Sequence, residues 1–160
     1  MTGLVVLANT RILDVRKGIL TDTQDIVIER DRIIDINRNA NLKNDHRRID
    51  LKGKISLPGL CDAHVHVTAA TPNFPELMRW SPYYTAARSS EILRNMLMRG
   101  FTTVRDAGGA EFGLARAVEE GFLTGPRILF CGKALSQTGG HGDMREPGEN
   151  FESCLCCAGL

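Results

Sequence analysis

The chain has 160 residues, 42% of them hydrophobic, and a formal charge of +1 at pH 7. That length suits one ordinary domain and the hydrophobic fraction suits a globular core; the near-neutral charge gives no electrostatic case for nucleic acid or an anionic membrane as a partner. No apolar run is long enough to span a bilayer, and the short Leu4–Ala8 run lacks the basic flank of a secretory signal, so a cytoplasmic address is expected.

Residues 4 to about 56 read as β-structure. Val5 to Ala8 form an apolar opening strand. Ile26-Val27-Ile28 and Ile33-Ile34-Asp35-Ile36 flank Glu29-Arg30-Asp31-Arg32, a polar connection suited to a hairpin. Asn37 to Arg48 is polar and is expected as a surface loop, with His46 solvated in it. Ile49 to Leu51 then leads toward Leu57-Pro58-Gly59-Leu60-Cys61-Asp62-Ala63-His64-Val65-His66-Val67. On a strand, side chains two residues apart share a face, so His64 and His66 lie close enough to share one metal ion. Neutral imidazole suits zinc and other divalent first-row metals. An isolated H-x-H is better explained by two ordinary histidines on a half-exposed strand; here the flanking residues reverse that preference.

Past His66 the periodicity changes. Ser81-Pro82 predicts a helix start, with Ser as N-cap and Pro in the first turn. Ile92, Leu93, Met96 and Leu97 give an amphipathic stripe, and Gly100 after Arg99 suits a C-terminal cap. Phe101 to Asp106 reads as a strand closed by Ala107-Gly108-Gly109, Phe112 to Glu120 as a second helix, and Arg127 to Cys131 as a third strand. Strands alternating with helices argue for a parallel sheet with helical crossovers. A glycine-rich loop around His141 follows, in which Gly139, Gly140 and Gly142 permit close backbone approach to a ligand. Cys61 and Cys131 are expected in core strands as small apolar groups. Cys154, Cys156 and Cys157 crowd the tail without a second Cys/His pair to complete a metal site, so reduced thiols are the simpler reading.

Leu57-Pro58-Gly59-Leu60-x-Asp62-Ala63-His64-Val65-His66 resembles the first barrel strand of the amidohydrolase superfamily. Gly100 to Gly109 resembles its second strand and loop, and Ser136-Gln137-Thr138-Gly139-Gly140-His141-Gly142-Asp143 resembles the loop after strand three in the Xaa-Pro and Xaa-Arg dipeptidases, neighbours of imidazolonepropionase. The fold class so implied is α/β: a partial TIM (β/α)8 barrel of about three strands over 57–160, preceded over 1–56 by part of a small β-sandwich. The resemblance implies that His64 and His66 bind the more buried metal of a one- or two-metal site, usually zinc, and that His141 contacts substrate at the barrel mouth. A metal there activates water and polarises the scissile carbonyl. Asp106 could orient a ligand imidazole by a hydrogen bond, or cap a turn; Asp62 suits structural hydrogen bonds, and Arg105 and Arg145 could meet a substrate carboxylate or stay solvated.

Full-length relatives also supply a bridging lysine, two further histidines and an aspartate from later strands, and they are homo-oligomers by the same resemblance. No counterpart of those four residues stands before Leu160, so no catalytic residue is assigned within the chain. The expectation is therefore the N-terminal portion of a metal-dependent hydrolase of a C–N bond in a small amide or dipeptide, inactive when isolated. Alternatives are an imidazolonepropionase-like enzyme acting on a cyclic amide and a non-catalytic truncated product.

Overall fold

The computed structural model describes residues 3–37, 46–143, 145–149 and 157–159. They fall into two units, Met1–Pro58 and Gly59–Leu160. Among the described residues no helix is long and apolar enough to cross a membrane.

The first unit is one five-stranded sheet. Strands β1 (Leu4–Asp14), β2 (Ile19–Glu29) and β3 (Arg32–Asn37) run antiparallel in sequence, while β4 (Arg47–Asp50) and β5 (Ile55–Ser56) pair in parallel with successive parts of β1. The polar connection expected over four residues tightens to two, because Glu29 and Arg32 pair with each other and Arg30 turns the chain at φ 54°. Val6, Ala8 and Val27 form its small core. The β1 register slips between Leu7 and Thr10, where Asn9 takes φ 55°. Asn9 N–H donates to Oδ1 of the buried Asp25 at 3.0 Å, and Arg48 Nη2 donates to its Oδ2 at 2.9 Å. The polar loop expected after Asn37 gives way to β4 at Arg47; its residues 38–45 lie outside the described residues. His46, just before β4, is half-buried rather than solvated. A second layer of a sandwich is not present among the described residues of this unit.

The second unit is built on three parallel strands in the order β6 (Leu60–Val65), β7 (Phe101–Asp106) and β8 (Arg127–Leu129). Helix α1 (Phe74–Leu77) and helix α2 (Pro82–Met98) connect the first pair, and α3 (Phe112–Glu119) connects the second. Ser81 caps α2 by accepting from Tyr83 N–H at 3.3 Å. Leu93 and Met96 of its apolar stripe enter a core with Val67, Val104, Ala110, Leu114 and Ile128. Gly59 is required where β6 begins: a Cβ there would lie 2.0 Å from Thr102 Oγ1 of the neighbouring strand. Alanine at Gly59 would force the two strands apart.

Three features depart from the sequence expectation. Strand β8 stops at Leu129, so Cys131 follows it. Cys61 and Cys131 are both exposed, because β6 and β8 are the outer strands of this sheet rather than its middle. A short parallel pair, β9 (Ala134–Ser136) with β10 (Cys157–Gly159), follows β8 where only a loop and a tail were expected. Cys154 and Cys156 lie outside the described residues.

Candidate metal centre

His64 lies in β6 and His66 one residue past its end. Val65 is half-buried against the core and Val67 is inside it, so alternation turns the two imidazoles to the opposite side, where both are exposed. Their ring centroids stand 5.3 Å apart with the planes at 80°. That proximity is the shared face that the two-residue spacing implies.

His66 is oriented by backbone. Its Nδ1 lies 2.9 Å from the Gly108 carbonyl oxygen. A carbonyl only accepts, so Nδ1 carries the proton and the neutral ring keeps its Nε2 lone pair free for a cation. Gly108 belongs to the tight loop between β7 and α3, and a Cβ on it would stand 2.5 Å from Ala134 Cβ. This close approach excludes any side chain at the position that holds the ring.

Asp106 builds that loop. It is fully buried at the end of β7. Its Oδ1 accepts from Gly108 N–H at 2.9 Å and Ala110 N–H at 3.0 Å, and its Oδ2 accepts from Val67 N–H at 2.7 Å. Both carboxylate oxygens are thus used by backbone donors. Of the two roles open to Asp106, turn capping is the one its geometry displays; it acts on the His66 ring through the Gly108 carbonyl, not by touching it. The signal in the sequence was the Gly108-Gly109 pair after a strand, which marks a loop but not which carbonyl would serve.

Of the remaining candidates, Asp62 and Arg105 contact the backbone beside His64, whereas His141 and Arg145 belong to the loop after β9. Asp62 Oδ1 accepts from His64 N–H at 3.1 Å, and Arg105 Nε donates to the Ala63 carbonyl at 2.6 Å. His141 is exposed in its loop, without a hydrogen bond or ring contact to the His64–His66 pair. The loop itself is ordered by Ser136 Oγ, which accepts from Gly142 N–H at 3.0 Å, and by Asp143 Oδ2, which accepts from Gly139 N–H at 2.9 Å. Arg145 is committed to Asp143 through two bonds of 2.7 Å rather than free for a substrate carboxylate.

The Arg145 guanidinium hydrogen-bonded to it, with the Gly139 N–H second, holds the Asp143 carboxyl well below the usual carboxylate range. A folded-state value below the unfolded one gives stability that is whole above the unfolded pKa and disappears as pH falls toward the depressed value. The stability difference between wild type and Asp143→Asn should therefore be largest above about pH 4 and shrink below it; thermal unfolding across that range measures it.

Among the described residues, no group of three or more His, Cys, Asp or Glu is arranged to hold a metal. The donors that are present fit a divalent cation in type and proximity, as two imidazoles with one tautomer fixed, but they make only part of the usual ligand set.

Residues 55–155 match the model of the amidohydrolase family. The chain is similar to a solved prolidase complexed with N-methylphosphonate-L-proline, at 40% identity and a TM-score of 0.88 over 98% of this chain and 40% of that one. It is similar to the ochratoxinase of Aspergillus niger, 31% identical over 93 residues, which are 56% of this chain and 19% of that protein. It is also similar to the imidazolonepropionase of Vibrio cholerae, 32% identical over 89 residues, 51% of this chain and 22% of that protein. The matched stretches thus span about a fifth of these curated relatives. With its family model matched over most of its length, the chain belongs to the amidohydrolase family.

Proposed function

We propose that the chain is part of a divalent-metal-dependent hydrolase that cleaves the amide bond of a dipeptide ending in proline. In this reading residues 57–160 contribute the first three strands of an eight-stranded barrel, and residues 1–56 contribute part of a small β-sandwich. Exposed Leu129 and Phe130, on and just after the outer strand β8, support a sheet that continues. The observation that carries the substrate class is the 40% identity to a prolidase whose solved form holds a proline phosphonate.

His64 and His66 would hold one cation, zinc in the simplest case. When bound, such an ion lowers the pKa of water and polarises a carbonyl. The chain's own part is to fix the two imidazoles, with the Gly108 carbonyl orienting one of them. His141, exposed in a glycine-rich loop, would donate a hydrogen bond to substrate.

Among the described residues no third His, Cys, Asp or Glu is grouped with His64 and His66, which leaves a third ligand and a proton carrier for the leaving amine unassigned. The 160-residue chain with zinc should therefore show little or no turnover of Xaa-Pro dipeptides; turnover well above that of His64→Ala would overturn this. A chain that carries these 160 residues together with a lysine, two histidines and an aspartate on later barrel strands should prefer Xaa-Pro dipeptides to cyclic amides. The opposite preference would favour an imidazolonepropionase-like activity, which the 32% identity to that enzyme supports as the second reading.

A further inference from the structure

We propose that Asp62 and Arg105 are positioning residues that clamp the Ala63–His64 peptide and thereby aim the His64 imidazole. The inference rests on the metal reading of the histidine pair. It starts from the ladder. Between β6 and β7 the register slips at this point: Asp62 lies opposite Val104 and Val65 opposite Asp106, so three steps along β6 face two along β7. An extra residue in a strand disturbs the ladder and leaves backbone groups in need of other partners.

Both polar ends of one amide find those partners in side chains. The Ala63 carbonyl accepts from Arg105 Nε at 2.6 Å, and the His64 N–H donates to Asp62 Oδ1 at 3.1 Å. These two groups belong to the same peptide unit, so together the bonds fix the plane from which His64 departs. Each bond has a charged member, which strengthens it relative to a neutral bond of the same geometry.

The next residue along β7 does the corresponding work at the other histidine. Asp106 accepts from Val67 N–H at 2.7 Å, in the peptide unit that follows His66. Arg105 and Asp106 are consecutive, and they grip the His64–His66 segment just before its first imidazole and just after its second. Asp106 is fully buried, whereas Arg105 is exposed and Asp62 only half-buried. Loss of the Asp62–Arg105 clamp should therefore disturb the aim of His64 while sparing the fold.

The test uses zinc itself as the probe. In isothermal titration, Asp62→Ala and Arg105→Ala should each weaken zinc binding about tenfold, in the range set by partners that orient metal ligands. Asp62→Asn, which keeps an acceptor oxygen, should bind close to wild type. Melting temperatures should stay near wild type, and amide hydrogen exchange at His64 should accelerate in Asp62→Ala but not in Asp62→Asn. Unchanged zinc affinity in both alanine variants, alongside its loss in His64→Ala, would overturn the clamp and leave the metal reading standing. Wild-type zinc affinity in His64→Ala would instead overturn the metal reading, and with it the proposed purpose of the clamp. Unchanged His64 exchange in Asp62→Ala would overturn the clamp whatever zinc does.

Discussion

Asp106→Ala is expected to destabilise the second unit by about 3–5 kcal/mol, a large share of the stability of an ordinary domain. The side chain is fully buried, and its two oxygens satisfy three backbone N–H groups, those of Val67, Gly108 and Ala110. Hydrogen bonds to a charged acceptor contribute about 1.5–3 kcal/mol each. They share one carboxylate, so the losses do not simply add, and water entering the vacated space recovers part of them. Asp106→Asn should cost less, about 2 kcal/mol, because one oxygen remains and the amide NH2 faces backbone donors on the other side. Urea unfolding measures both. An unfolding free energy for Asp106→Ala within about 1 kcal/mol of wild type, the scale of a single hydrogen bond, would show that the loop stands without its carboxylate. The same variant should also loosen Gly108, whose carbonyl holds His66.

His66→Ala should weaken zinc binding by roughly 100-fold or more, beyond the 10–100-fold effect typical of residues that merely orient a ligand. The His66 ring is tied at Nδ1, so its Nε2 is presented without a search through rotamers or tautomers. Among the described residues none forms such a hydrogen bond with the His64 ring, and that residue is held through its backbone instead. Both rings are exposed, so neither substitution removes core packing, and the melting temperature should barely move. Competition titration against a chelating dye measures the affinity. Loss of folding in either histidine variant would point to a structural role for the pair.

Local chemistry made some of this legible before any fold was known. The β-branched run Thr102-Thr103-Val104 between Gly100 and the Ala107-Gly108-Gly109 break marked β7 to its ends. Ser81-Pro82 marked the start of α2, and the spacing of His64 and His66 marked the pair. Other elements had no local signature. The first half of β2, Ile19 to Asp25, is largely polar and is a strand because β1 pairs with it. Strands β9 and β10 exist through a partner about twenty residues away in the chain. The hold on His66 is a carbonyl oxygen, which every residue has, and the clamp on His64 depends on a register slip that only pairing reveals. The carboxylate of Asp106 was visible as a candidate; that it would serve three amides rather than an imidazole depended on where the chain folds back.

Zinc K-edge X-ray absorption on the zinc-loaded chain addresses the shared cation most directly. Two imidazole nitrogens in the coordination shell are expected for wild type, falling to one in His64→Ala and one in His66→Ala, with the balance made up by water oxygen. A shell containing sulfur, or one that is the same in wild type and both variants, would contradict the assignment of His64 and His66 as partners on a single metal.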